Sequence, residues 1–450
     1  MRYPPGVTCL LVAAIAVSCG RNARLADRDR AGLEVLAAEP LYASAFTGLA
    51  LADAATGESL ATYDARKSFT PASNVKILTL ATALAWLPPD SLPALAYRYV
   101  GDTLRLWGTA YPLLGAGEGA YNREIRRRLA EHDGPVEVSV HGFATLPRYG
   151  AGWMWDDYRG DYQRERSGLP VGGNRVRAWR RSDGTWSTAP GFLAVSPSPV
   201  LPKGRLSRDE GSNRLTASGK TAIPPPGSRR ADTLSVPLYE AQALAAQLLE
   251  DWSGREVRYH ADPLPEDWGT RVWRGLPRDT LLRRMMLPSD NFLAEQLLLQ
   301  AGLFAYDLTD EGEIRRRAKA EVLPAAAATQ VRWADASGLS RYNLATPAAV
   351  VAVLTDLQQR YGFPVVSRLF ARGGELGSTL ARDYGAAPGE PPHLWAKTGT
   401  LRHVHALSGY LRADSGRLLA FAFLHNNFPG GSRAYREAMA RTLERIRDTY

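Results

Sequence analysis

The sequence predicts an α/β fold of the α+β type, an antiparallel sheet flanked by helices, with a large and mainly β insertion. Three observations carry this. Apolar runs from Phe46 to Ala52 and from Ser59 to Tyr63 flank Ala55-Thr56-Gly57, a turn signal between two strands. The C-terminal third repeats the pattern, with strand-like runs from His393 to Leu401, Leu407 to Arg412 and Arg417 to His425, an Ala413-Asp414-Ser415-Gly416 turn, and an amphipathic helix from Ser432 to about Arg447. Between about Tyr97 and Val236, short strand-like pieces alternate with Gly and Pro clusters such as Ser196-Pro197-Ser198-Pro199 and Pro224-Pro225-Pro226-Gly227.

After the opening hairpin comes Pro71-Ala72-Ser73-Asn74-Val75-Lys76, continuing as Ile77 to Leu87 with apolar residues on every side, which predicts a helix inside the protein. Helical periodicity resumes at Tyr239 to Trp252, Arg278 to Met286 and Phe292 to Leu303. The expected division is one discontinuous domain from residues 20–96 and 237–450, interrupted by a β-rich insertion over 97–236.

Arg2 and the apolar run Leu10 to Val17, followed by Ser18-Cys19-Gly20, are too short to span a bilayer and read as a secretory signal over residues 1–18. The two cysteines, Cys9 and Cys19, both fall here, so a mature chain starting at Cys19 has no internal disulfide and no cysteine metal cluster. Ala16-Val17-Ser18-Cys19 resembles a bacterial lipoprotein cleavage box, with Ala16 in place of the usual Leu. An exported, periplasmic protein is expected, touching a membrane only through a lipid on Cys19.

Lys plus Arg number 55 against 46 Asp plus Glu, a net charge of +9 over 450 residues, which is modest and demands no nucleic-acid partner. Arg175, Arg177, Arg180 and Arg181 read as a solvated strand face. Lysine stands at only six positions, 67, 76, 203, 220, 319 and 397. In so arginine-rich a chain a retained lysine can mark a need for an amine able to lose its proton.

Three short motifs follow in order: Ser73-Asn74-Val75-Lys76, Ser289-Asp290-Asn291 and Lys397-Thr398-Gly399. Together they match the Ser-x-x-Lys, Ser-x-Asn and Lys-Thr-Gly set of penicillin-binding proteins and class A β-lactamases. Residues i and i+3 share a helix face, so the Lys76 amine can reach the Ser73 hydroxyl. Burial and a second cation at Lys397 would favour the neutral amine, which can take the serine proton. At a helix N-terminus the Ser73 N–H supplies half an oxyanion hole, and the Thr400 N–H is the candidate for the other half. Two-residue alternation puts Thr398 and Thr400 on one strand face and leaves Gly399 open to close approach.

These stretches, with Leu287-Pro288 before the second motif, Ala336-Ser337-Gly338-Leu339-Ser340-Arg341-Tyr342-Asn343, and Ala396 and Thr400-Leu401 around the third, resemble the low-molecular-mass class C penicillin-binding proteins, the D-alanyl-D-alanine carboxypeptidases and endopeptidases of peptidase family S13. The long interval between Ser73 and Ser289, and the segment Gly152 to Tyr158, fit that family's inserted domains better than a β-lactamase. The resemblance implies a β-lactamase/transpeptidase-like domain, no cofactor and no metal. It implies Ser73 as acylated nucleophile, Lys76 as base, Ser289 as proton relay to the leaving amine, and Asn291 as a partner of the substrate peptide. Lys397 would support the electrostatics, Thr398 and Thr400 would hold a terminal carboxylate beside Gly399, the substrate would be a peptidoglycan stem peptide, and β-lactams would inhibit covalently. Gly108-Thr109-Ala110-Tyr111-Pro112 departs from the family's Gly-Asp-Pro. For Asp156 and Asp157 two readings stand, a contact to the free amine of a diaminopimelate side chain and, preferred, exposed carboxylates with only local structural work.

Other motifs carry less. Ala217-Ser218-Gly219-Lys220-Thr221 lacks the upstream glycine of a phosphate loop, since Arg214 stands there. His403 and His405 could share a strand face, but no third ligand follows at metal spacing, so strand packing is expected. No Gly-x-Ser-x-Gly elbow occurs, and no Glu-x-x-Leu-Asn stretch of the kind class A β-lactamases use for deacylation follows the second motif. A catalytically silent, lipid-anchored wall-binding protein and a β-lactam hydrolase are the rival readings.

Overall fold

The computed structural model describes residues 31–450 except 33, 35, 37, 118, 182, 203, 219–233 and 387–388. The expected signal and Cys19 lie outside the described residues, as does the Gly219-Lys220-Thr221 end of the phosphate-loop decoy. No helix among the described residues is long and apolar enough to cross a membrane. The chain forms two compact units: one of residues up to Ile77, Pro324–Arg332 and Asn343–Tyr450, the other of Leu78–Leu323 and Trp333–Tyr342.

The first unit is built on a six-stranded antiparallel sheet. Its strands are β1 (Phe46–Asp53), β2 (Ser59–Tyr63), β3 (Leu394–Leu401), β4 (Val404–Arg412) and β5 (Leu418–Asn426), with a short Ala371–Arg372 edge. Across the sheet the order is the short edge, β3, β4, β5, β1, β2. The opening hairpin therefore pairs with the last strand, in a register running from Phe46 opposite Asn426 to Asp53 opposite Leu419. Ala371–Arg372 pairs only with Ala396 and Trp395, so among the described residues no strand covers the outer edge of β3 beyond that point.

Helices cover both faces of this sheet. Alternation along β4 and β5 puts Tyr410, Ala420 and Leu424 on one face and Phe423 and His425 on the other. The first face meets α2 (Pro347–Tyr361), whose Leu354 carbonyl accepts a 2.6 Å bond from the Tyr410 hydroxyl. Thr346 caps this helix by accepting from the Ala349 N–H, with Pro347 in the first turn. The second face meets α3 (Arg433–Thr449), where Tyr435 packs 5.1 Å from the His425 ring. Helix α1 (Lys76–Trp86) is buried along its first nine residues, as its uniformly apolar sequence predicts.

The second unit holds a mixed five-stranded sheet in the order Val257–Tyr259, Val136–Ser139, Thr103–Gly108, Ser91–Val100, Val272–Pro277, and two three-stranded sheets. Strand pairing crosses both expected insertion boundaries: Ser91–Val100 runs through 96/97, and Val136–Ser139 pairs with Val257–Tyr259 beyond 237. Partners so distant in sequence leave no compositional mark where the chain changes from one layer to the next. A helix, Ala120–Ala130, also lies within the Gly- and Pro-punctuated stretch and buries Ile125 and Leu129. Of the arginine run, Arg175 on the strand Arg175–Arg180 pairs with Asp161 at 2.7 Å.

Candidate active site

Ser73 does not open α1 directly. It sits in one turn of 3-10 helix, Ala72–Val75, and α1 begins at Lys76. At three residues per turn, side chains at i and i+3 eclipse, which brings Lys76 over Ser73 more closely than α-geometry does. The Lys76 Nζ donates to Ser73 Oγ at 3.0 Å. Lys76 is fully buried while Ser73 remains partly open. Just before the serine, Ala72 adopts φ +47, left-handed backbone that a residue with a Cβ rarely takes and that costs on the order of 1–3 kcal/mol. The sequence carries no glycine to signal it.

The Lys-Thr-Gly strand packs against this turn in the same unit. A Cβ on Gly399 would lie 2.6 Å from the Pro71 carbonyl oxygen and 3.1 Å from the Ser73 nitrogen, so the glycine admits the nucleophile's own backbone. The Asn74 side-chain amide donates to the Lys397 carbonyl at 3.2 Å. Lys397 is almost wholly buried, and its ammonium donates to the Thr398 carbonyl at 2.7 Å. Burial, and after it the charge of Lys76, holds the Lys397 amine well below its ordinary value.

Thr398 and Thr400 share the opposite face of β3. Thr398 Oγ1 donates to Thr379 Oγ1 at 2.7 Å, and exposed Thr400 lies 3.1 Å from His405 Nδ1 through its own Oγ1. Only His405 of the two suspected strand histidines lies on a strand. His403 occupies the tight turn between β3 and β4 with φ +64, because short hairpin turns demand left-handed backbone. Its Nδ1 lies 2.9 Å from the Phe428 carbonyl. No cluster of metal-ligating side chains occurs among the described residues.

Ser289 and Asn291 belong to the second unit, around the N-terminus of the helix Asn291–Tyr306. Ser289 has φ +65, and Asp290 caps the helix by accepting from the Leu293 N–H at 3.0 Å. Residues 162–164 hold this turn: Arg164 Nη2 donates to both Asp290 oxygens at 2.7 and 2.6 Å, and the Asn291 amide donates to the Tyr162 carbonyl at 3.0 Å. Burial raises the Asp290 pKa, but Arg164 and the Leu293 N–H outweigh it and leave a net lowering. Asp157 accepts from the Tyr162 hydroxyl at 2.6 Å, the local structural work expected of it. The Ser337–Asn343 stretch is organised by Asp335, which accepts from Trp153 Nε1 and from the Gly338 and Ser340 N–H groups at 2.6 to 2.8 Å. Neither Arg164 nor Asp335 was visible in sequence, since each acts on partners distant along the chain or on backbone.

The model of the D-Ala-D-Ala carboxypeptidase 3 (S13) family matches residues 30–180 and 210–446. The chain belongs to that family. Among S13 relatives, the D-alanyl-D-alanine carboxypeptidase of Actinomadura sp. (strain R39) is 26% identical over 481 residues, spanning 94% of this chain and 85% of that protein. The D-alanyl-D-alanine carboxypeptidase DacB of Haemophilus influenzae is 26% identical over 179 residues, 39% of this chain and 37% of its own length. The crystal structure of penicillin binding protein 4 from Haemophilus influenzae superposes with a TM-score of 0.69 at 17% identity, covering 90% of this chain and 97% of the other, and shares the fold. The mixed α/β architecture with its antiparallel sheet is that of penicillin binding protein 4, and the chain is a serine-type D-Ala-D-Ala carboxypeptidase of the S13 family.

Proposed function

We propose that the chain cleaves peptidoglycan stem peptides ending in D-Ala-D-Ala through an acyl-enzyme on Ser73. The observation that carries this is the 3.0 Å contact from a fully buried Lys76 amine to the partly open Ser73 hydroxyl, with Lys397 buried alongside. Lys76 in its neutral form takes the hydroxyl proton as Ser73 Oγ attacks the penultimate carbonyl carbon. The Ser73 and Thr400 N–H groups receive the developing oxyanion. The C–N bond then breaks, the departing D-alanine amine gains a proton by way of Ser289, and the acyl group remains as an ester on Ser73. Water, deprotonated by the same base, hydrolyses the ester and restores the serine.

The outer edge of β3 beyond Ala396, which no strand covers among the described residues, supports a peptide substrate, because an extended chain can add there as a further strand. On this reading Asn291 bonds the substrate backbone, while Thr398 and Thr400, with Gly399 between them, hold the terminal carboxylate. A β-lactam acylates the same serine and is released slowly. The mature enzyme works outside the cytoplasm, held to a membrane by a lipid on Cys19. The test is incubation with a fluorescent penicillin followed by peptide mapping. Label on the Ser73 peptide, its loss in Ser73→Ala, and release of D-alanine from a free pentapeptide are expected. A folded wild-type protein that takes no label would overturn the reading.

A further inference from the structure

Thr400, His405, His425 and Thr47 form one row across β3, β4, β5 and β1, each directly opposite the next. Two hydrogen bonds lie along it: Thr400 Oγ1 to His405 Nδ1 at 3.1 Å, and His425 Nδ1 to Thr47 Oγ1 at 2.9 Å. Both imidazoles are buried, and on both rings Nε2 has no hydrogen-bond partner among the described residues. Burial pushes the His405 ring down to about 4, with Arg436 adding repulsion and Asp383 opposing it, and burial takes His425 well below its ordinary value. Both rings are therefore neutral near pH 7, and each carries one proton.

The position of that proton follows from the partners. On Nε2 it would make a buried N–H with no acceptor, whereas a bare ring nitrogen leaves only an unused lone pair, the lesser cost. At His425 an independent constraint gives the same answer. Thr47 has a single hydroxyl proton and donates it to the Tyr42 carbonyl at 3.1 Å, so His425 Nδ1 must be the donor in their contact. Applied to His405, the argument leaves Nδ1–H donating to Thr400 Oγ1. Thr400 then keeps its own proton, and its exposed hydroxyl can donate outward. With the other tautomer the hydroxyl proton would go to the ring, and Thr400 would show an incoming anion only lone pairs.

We propose that His405 is a positioning residue that fixes the Thr400 hydroxyl as an outward donor, selecting substrates with a free terminal carboxylate over neutral-ended ones. This rests on the reading of Thr400 as a carboxylate contact. Two experiments test it. In protein labelled with 15N-histidine, long-range 15N–1H correlation, assigned with H405L, should show the His405 proton on Nδ1; a proton on Nε2 would sink the proposal whether or not the protein is acylated. In kinetics, the ratio of kcat/KM for an acid-ended over a carboxamide-ended peptide should fall about tenfold in H405L, the scale of one hydrogen bond to a charged group. H405N places an amide N–H near the Nδ1 position and should restore most of the ratio, and H405L should add nothing in a T400V background. Equal losses on both peptides, or no rescue by H405N, would make His405 merely structural. If wild-type protein takes no penicillin label, the assignment of Ser73 fails while the tautomer can still be read.

Discussion

The Asn74 amide reaches the main-chain carbonyl of Lys397, a residue 323 positions away, and so ties the nucleophile's turn to the strand that carries the second buried amine. Both ends of this bond are buried, so neither is replaced by water when the other is lost. Asn74→Leu leaves the Lys397 carbonyl without this donor, which costs about 1–3 kcal/mol. Penicillin acylation should slow roughly tenfold, because the turn and the strand lose their register. A thermal melt and stopped-flow labelling check this, and an unchanged labelling rate would make the bond incidental to the site.

Gly399→Ala is a sharper test of the same packing. The added Cβ would sit 2.6 Å from the Pro71 oxygen and 2.8 Å from Asn74 Nδ2, and the first of these is backbone that cannot rotate away. The strand must move off the serine turn, and acylation should fall by about two orders of magnitude, since misplacement near 1 Å can cost that much. Circular dichroism should remain native. Labelling at the wild-type rate would mean that the close approach has no catalytic role.

Lys76→Arg separates charge from proton transfer. Guanidinium keeps its positive charge at every accessible pH and cannot serve as base. Acylation should drop at least ~10²-fold, the scale of general-base catalysis, and Lys76→Met should do no worse. Rapid labelling of the arginine variant would remove Lys76 from the role of base.

Much of this arrangement was legible in sequence because it is local. The three-residue spacing of Ser73 and Lys76, the alternation of Thr398 and Thr400, and the apolar run after Lys76 each need only a few neighbours to be read. The sequence alone makes the turn holding Ser73 the start of an α-helix, since nothing marks Ala72 as left-handed. The adjacency of β1 and β5, the grip of Arg164 on Asp290 and the row from Thr400 to Thr47 depend on partners far apart in the chain, whose pairing leaves no local periodicity. The sequence marks His405 only as a strand-packing residue, and the sheet register alone reveals which hydroxyl it faces.

Arg164 and Asp290 predict an acid-sensitive stability. The Asp290 carboxyl titrates below its ordinary value of 3.8 because Arg164 and the Leu293 N–H outweigh burial, so the stability it contributes is present above that value and is lost as pH falls through the lower, folded one. Arg164→Met should destabilise by roughly 3 kcal/mol at pH 7, having left a charge without its partner. In that variant Asp290 loses its largest opposing charge and keeps only the Leu293 N–H and the Arg175 charge against burial, so its carboxyl shifts upward and stability relative to wild type should improve as pH is lowered. Urea melts at pH 7, 5 and 4 would show it, and Arg164→Met/Asp290→Asn should recover part of the loss. A gap that stays constant with pH would rule out this pairing as its source.

Lys397 gives a pH dependence of the same sign in a higher window. Its amine is held well below the ordinary 10.5 by burial and then by Lys76, so the folded chain releases this proton at a lower pH than the unfolded chain does. Between the two values the unfolded state binds the extra proton, and unfolding free energy must rise with pH at up to ~1.4 kcal/mol per unit. Lys397→Met removes both the buried amine and that slope while abolishing acylation. At pH 7 the variant should therefore be the more stable protein. Wild type should close the gap steadily as pH approaches 10.5, where the unfolded lysine also begins to lose its proton. Chemical denaturation of both proteins across this range measures the difference, in which groups common to the two cancel. Parallel curves would mean that Lys397 titrates alike in the folded and unfolded chain, and the pair of buried amines would then lose its electrostatic role.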